Sequence, residues 1–278
     1  MSFLKGLRAV WASMLMLALM GCVAPPVRAP AQPNQAAPNT TLTLFAAASL
    51  KDAFGEIGKS FEAAHPGVKV VFNFAGSQQL AQQLAQGAPT DVFASANKKQ
   101  MDVVVAAGRI ISGTARTFAR NRLVVVLPKD NPAQLDKLLD LARPSIKLVL
   151  AAKEVPAGQY ALDFLDKATQ DKTFGDAYKN DVLKNVKSYE DNVKAVLTKV
   201  ALGEADVGIV YASDITPDTQ GKVSTLSIPD ALNTLAAYPI ATIQDSKNAE
   251  LAQKFMTYVL SDEGQKILAS HGFISALK

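Results

Sequence analysis

TLTLFAAASLKDAFGEIGKSFEAA, residues 41–64, runs from an apolar strand into an amphipathic helix through a turn with no charge at its tip. Thr41–Ala48 reads as a buried strand. Ser49–Ala64 reads as a helix, because Phe54, Ile57 and Phe61 recur at helical spacing. The turn itself is Ala46-Ala47-Ala48-Ser49. Similar turns return at Ala75-Gly76-Ser77-Gln78, at Val155-Pro156-Ala157-Gly158 and around Asn192-Val193. The start of a helix exposes unpaired N–H groups and the positive end of its dipole, so such turns can hold an anion without a formal positive charge. Several aimed at one place would form a cage of neutral donors.

The pattern spreads outward from that stretch. Val68–Phe74 is a second strand, Ser77–Gln86 a helix closed by Gly87, Asp91–Ala94 a short strand, and Lys98–Ala107 a helix closed by Gly108. A repeated β–α order implies an α/β fold, with a mostly parallel sheet and helices on both faces. A second set opens with the apolar strand RLVVVLP (Arg122–Pro128) and a short helix over Leu135–Ala142. Lys147–Ala151 is then a strand, Gly158–Ala168 and Asp191–Leu202 helices, and VGIVY (Val207–Tyr211) a buried strand. Ala236–Ile243 returns as a strand, followed by helices over Glu250–Leu260 and Asp262–His271. Two lobes joined by crossover strands are expected. Residues 41–120 with 238–278 form the first lobe and residues 121–237 the second. Ligands of such sheets sit outside the carboxyl ends of the strands, which puts the site in the cleft between lobes.

The start of the chain reads as an export signal. Lys5 and Arg8 precede an apolar run from Ala9 to Met20 that is short for a membrane span. Leu19-Met20-Gly21-Cys22 resembles a bacterial lipobox, so residues 1–21 are expected to be a lipoprotein signal and Cys22 the lipidated residue. Residues 22–40 hold five prolines among Ala, Gln and Asn and read as an extended tether. Two or more acyl chains would give a stable anchor. The expected location is extracytoplasmic, held at a membrane.

Composition narrows the function. Hydrophobic residues make up 49% of the chain, which decides against disorder. Loss of Lys5 and Arg8 with the signal lowers the formal charge from +4 to +2. No Lys/Arg block interleaves with aromatics, so no nucleic acid is expected. Cys22 is the sole cysteine, which excludes an intrachain disulfide and a multi-cysteine metal site. No metal or cofactor is expected. Ser49 and Ser77 have a plain reading as helix caps, and Pro156 as a first-turn proline. The Tyr211 hydroxyl either donates to a ligand or only reaches the surface. A serine-dependent enzyme is the alternative from another class. Neither serine lies in a Gly-x-Ser-x-Gly elbow, and nothing places His65 or His271 beside one.

Taken in order, FAAASLKDAF, FNFAGSQQLAQQLAQGAPTDVFASAN, RLVVVLP, VPAGQYA, DNVKAVLTKVALGEADVGIVYASD, YPIA and LSDEGQKILASHGF resemble the periplasmic molybdate-binding proteins of ABC transporters. The resemblance covers about Leu42 to Phe273. It implies a two-lobed type II periplasmic binding protein fold and a tetrahedral oxyanion as ligand. Carried over by resemblance, Ser49 and Ser77 supply hydroxyl and amide donors. Ala157 and Val193 supply backbone N–H groups and Tyr211 its phenol. Glu190 and Asp191 must then point away from the dianion. The resemblance implies capture of molybdate, and of tungstate, for a membrane permease, by a monomer with no enzymatic activity. Sulfate or another oxyanion is the alternative ligand. Arg120 and Arg122 would matter only for a carboxylate ligand.

Overall fold

The computed structural model describes residues 40–277. The signal, Cys22 and all of the tether but Thr40 lie outside the described residues. The chain runs β1 (Thr40–Ala47), α1 (Lys51–Ala64), β2 (Val68–Ala75), α2 (Ser77–Ala85), β3 (Val92–Ala94), α3 (Lys98–Ala106) and β4 (Arg116–Asn121). It continues with β5 (Leu123–Pro128), β6 (Leu148–Ala151), α4 (Pro156–Gln170), α5 (Tyr178–Lys184), β7 (Val186–Glu190) and α6 (Val193–Ala201). Then come β8 (Val207–Tyr211), α7 (Pro217–Gln220), β9 (Val223–Ser227), β10 (Ala236–Thr242), α8 (Ala249–Leu260), α9 (Asp262–Ser270) and β11 (Ile274–Ser275).

The strands form two sheets, in the orders β11-β4-β10-β3-β1-β2 and β7-β6-β8-β5-β9. Helices flank both. Only Arg122 separates β4 of the first sheet from β5 of the second, and a second crossing follows β9. The architecture is the expected two-lobed α/β fold. Its sheets are mixed rather than mostly parallel. β1 pairs parallel with β2 and β3, and β6 pairs parallel with β7 and β8. The strands entering from the crossings, β4, β5 and β10, pair antiparallel with their neighbours. A chain that crosses between lobes without a helix arrives running against the strands already laid down.

The apolar spacing in α1 does what its sequence implies. Phe54, Ile57 and Phe61 are buried, and Phe54 and Phe61 pack edge-on against Phe255 of α8. VGIVY in β8 is buried along its whole length because β5 and β6 flank it and helices cover it. The short helix expected at Leu135–Ala142 is a 3-10 turn over Leu138–Ala142. Among the described residues no helix is long and apolar enough to cross a membrane.

Gly158 sets how closely α4 seats on the end of β6. A Cβ there would lie 2.1 Å from the Ala152 carbonyl oxygen and 2.3 Å from that of Ala151. Both obstacles are backbone, so α4 must lift. Gly158→Ala is expected to destabilise the fold by about 1–3 kcal/mol. Urea unfolding checks it: the midpoint falls while the slope stays constant.

Candidate functional site

The parallel registers decide where the turns meet. Ala47 of β1 lies beside Ala75 of β2, and Ala151 of β6 beside Glu190 of β7. Each pair of strands therefore ends level, and the turns leaving them are neighbours. Ser49 lies in a single 3-10 turn, Ala48–Leu50, between β1 and α1. Ser77 is the first residue of α2, Ala157 the second of α4 and Val193 the first of α6. Tyr211 ends β8. All five line one small cavity, with about 10 Å³ of room for the centre of a water-sized sphere. All five are between 1% and 4% exposed, so their donors are largely withdrawn from bulk water. Among the described residues no charged side chain lines it.

Neither serine caps its helix. Ser77 Oγ accepts the Ala96 N–H at 3.0 Å, which leaves its own proton free to turn into the cavity. Ser49 Oγ lies 3.0 Å from Tyr238 Oη. The cap of α6 is Asn192, whose Oδ1 takes the third-position N–H of Ala195 and leaves that of Val193 unclaimed. Pro156 opens α4 and has no N–H, so Ala157 carries the helix's first donor. The Tyr211 hydroxyl is buried and has no hydrogen-bond partner among the described residues. A buried donor left unpaired costs about 1–3 kcal/mol.

The nearby charges turn away from the cavity. Glu190 binds Lys199 at 2.6 Å. Lys194 lies 2.7 Å from Asp52 and 3.4 Å from the fully buried Asp214. Burial alone would lower the Lys194 pKa, but Asp214 and Asp52 together raise it, so the ammonium stays charged. Burial raises the Asp214 pKa against the pull of Lys194. Arg122 pairs with Asp230, and neither it nor Arg120 reaches the cavity. His65 stacks on Phe61, and His271 bonds Glu56 at 2.8 Å. Neither imidazole serves a serine. Among the described residues no cluster of His, Cys, Asp or Glu could hold a metal.

Among the described residues Tyr211 is the only titratable side chain at the cavity. Burial, then the neighbouring Tyr238, Tyr160 and Asp214, hold its phenol well above the usual tyrosine range. The neutral form is favoured on folding, so its contribution is complete below about pH 10 and is lost only as pH rises further. Affinity for an oxyanion that is itself fully ionised is therefore expected to stay flat from about pH 6 to 9. Titration calorimetry across that range checks this, and a step near pH 6.5 would reveal a histidine or another group at work.

Residues 42–274 match the family model described as bacterial extracellular solute-binding protein. The chain belongs to that family. It is 38% identical over 262 residues to the molybdate-binding protein ModA of Mycobacterium tuberculosis, covering 94% of each chain. It is 33% identical over 247 residues to the Escherichia coli protein of the same name, covering 86% of this chain and 91% of that one. The periplasmic molybdate-binding protein of Azotobacter vinelandii superposes with a TM-score of 0.71 at 19% identity, covering 84% of this chain and 98% of that one. At that identity the likeness speaks to the fold, which is the type II periplasmic binding fold read from the sequence. The resemblance to periplasmic molybdate-binding proteins is borne out. Members of this family are solute-binding proteins, not enzymes, and they work outside the cytoplasm.

Contacts also span the cleft beside the cavity. Gln78 Nε2 donates to the Asp191 carbonyl at 2.9 Å, and Gln100 Nε2 to that of Glu154 at 3.2 Å. With the Lys194–Asp52 bridge they join elements of the first sheet to elements of the second. The sequence reading missed all three, and it missed Tyr238 and Asn121 behind Ser49. YPIA marked the segment holding Tyr238, but no local pattern pairs a tyrosine with a serine 189 residues away.

Proposed function

We propose that this protein captures molybdate in the closed cleft, accepts tungstate as well, and delivers the ion to the membrane permease of an ABC importer. The observation that carries the reading is the cavity: buried, uncharged, and lined by hydroxyl and helix-start donors with one phenol unpaired. A dianion there exchanges its hydration shell for fixed dipoles. Charge-assisted hydrogen bonds contribute roughly 1.5–3 kcal/mol each. Around six of them, less desolvation and closure, leave about −8 to −12 kcal/mol, micromolar to nanomolar affinity. Relatives named for molybdate support the choice of ion.

A cage of donors also selects. A protonated oxyanion brings an O–H that needs an acceptor, so hydrogen phosphate is rejected. Molybdate and sulfate share charge and shape, so a cage of donors can separate them only by its size. We further propose that Cys22 carries the lipid anchor and that residues 22–40 tether a monomeric body near the permease, which raises its local concentration. Metabolic labelling with a fatty acid checks the anchor, since Cys22→Ser would abolish incorporation.

Calorimetry of the chain from residue 23 onward against molybdate, tungstate, sulfate and phosphate tests the ligand. Micromolar or tighter binding of molybdate and tungstate is expected, with hydrogen phosphate far weaker and read by competition at high concentration. Sulfate bound as tightly as molybdate would assign the protein to oxyanions more broadly. Silence toward all four would end the reading.

A further inference from the structure

We propose that Tyr238 and Asn121 fix the direction of the Ser49 hydroxyl proton, so that Ser49 can only donate into the cavity. The inference rests on the oxyanion reading above and assigns roles to two residues outside the cavity lining.

Tyr238, in β10, is fully buried, with its ring edge-on to Tyr211, Phe118 and Phe273. Its hydroxyl has two neighbours within hydrogen-bond distance among the described residues, Ser49 Oγ at 3.0 Å and Asn121 Nδ2 at 3.4 Å. Asn121 ends β4 at the crossing between sheets. Its Oδ1 accepts the Arg122 N–H at 2.9 Å, which fixes the amide so that its other end is the NH₂ group. That group donates at 2.7 Å to Ser213 Oγ and, over the longer distance, to Tyr238 Oη. An amide NH₂ cannot accept, and the neighbouring Tyr211 hydroxyl makes no hydrogen bond with Tyr238, so among the described residues the Tyr238 proton has one acceptor within bonding distance, Ser49 Oγ. With that bond made, the Ser49 proton is unused on the protein side and turns toward the ion. The reverse order, Ser49 donating to Tyr238 and accepting from the ligand, would strand the Tyr238 proton in the core. Burial raises the Tyr238 pKa well above the ordinary range, so the proton is present at any working pH.

Ser77 reaches the same state by simpler means, through the Ala96 N–H. Both serines are thus supplied with a hydrogen bond from behind and present a donor in front. The relay is therefore a device for specificity. It keeps Ser49 from offering a lone pair to the O–H of a protonated oxyanion.

The test is calorimetry of Tyr238→Phe and Ser49→Ala, alone and together, with molybdate and with hydrogen phosphate as probes. Tyr238→Phe is expected to weaken molybdate binding about 5- to 20-fold while hydrogen phosphate loses nothing or gains, so the preference narrows by about tenfold or more. In the Ser49→Ala background Tyr238→Phe is expected to change the preference no further. A purely packing role would weaken both ions equally and act the same in either background, and that result overturns the inference. Should Tyr238→Phe fail to fold by circular dichroism, proton NMR of the wild-type complex carries the test. A slowly exchanging Tyr238 hydroxyl proton close to the Ser49 β protons supports the relay, and one directed elsewhere overturns it. Wild-type protein that binds no oxyanion overturns both this inference and the capture reading. Wild-type binding with an unaltered Tyr238→Phe variant overturns this inference alone.

Discussion

Gly76→Ala is expected to leave the unliganded protein folded and to weaken molybdate binding by about a hundredfold. Gly76 lies at the tip between β2 and α2, with φ −59° and ψ 135°, a conformation that alanine adopts freely. Its lack of a side chain is therefore not a matter of backbone freedom. A Cβ there would lie 2.5 Å from the Asp191 carbonyl oxygen, which belongs to the turn entering α6. That carbonyl also receives Gln78 Nε2, so it is held in place. The lobes cannot close fully over an added methyl group unless one backbone shifts. Overpacking of this kind costs about 1–3 kcal/mol, and the upper end applies because the Asp191 carbonyl is backbone, while the Gln78 amide, also 2.5 Å from that Cβ, can swing aside only by giving up its bond to Asp191. Since 1.4 kcal/mol is tenfold in affinity, the loss reaches about a hundredfold. Calorimetry gives the affinity, and thermal unfolding without ligand gives the control. A variant that binds normally would mean that the closed geometry at Gly76 is not the binding geometry.

Tyr211→Phe is expected to act in opposite directions on stability and on binding. The Tyr211 hydroxyl is buried and unpaired, so in the closed protein it carries a penalty of about 1–3 kcal/mol that phenylalanine would not. Thermal unfolding without ligand is expected at the same temperature or higher. With molybdate, the variant lacks one charge-assisted donor and should bind about 10- to 150-fold more weakly. A core residue with no role in binding would give another pattern, a loss of stability with affinity unchanged. Unfolding followed with and without molybdate separates the two, because the ligand-induced rise in melting temperature would shrink in the variant.

Much of this was legible in the sequence, for reasons visible in particular residues. The helix of Phe54, Ile57 and Phe61 declares itself by spacing, and VGIVY by being apolar throughout. Ser49, Ser77, Ala157, Val193 and Tyr211 stand out because each follows a strand-like run where a small or neutral residue begins a helix or ends the strand. Their convergence was expected from the β–α order, and the structure gathers them at one cavity. The edge strands β7 and β9 were not read. VKSYE and VSTLS expose alternate residues to solvent, so they lack the apolar density of the central strands. β4 was also missed, as RTFARN carries two arginines and resembles a loop. The mixed character of the sheets follows from the crossings, which leave no local mark. The Ser49–Tyr238–Asn121 contacts join residues 189 and 117 positions apart, and only the folded chain brings them together.

The most direct test is to locate the ion. Crystals grown with molybdate and measured at the molybdenum absorption edge would show the metal as an anomalous-scattering peak. The expected result is a single strong peak between the two sheets, its oxygens within hydrogen-bond reach of the hydroxyls of Ser49, Ser77 and Tyr211 and the N–H groups of Ala157 and Val193. No lysine or arginine would stand beside it. A peak elsewhere, for instance against the Arg109 guanidinium, or a cation drawn into the cavity to meet the ion, would contradict the account.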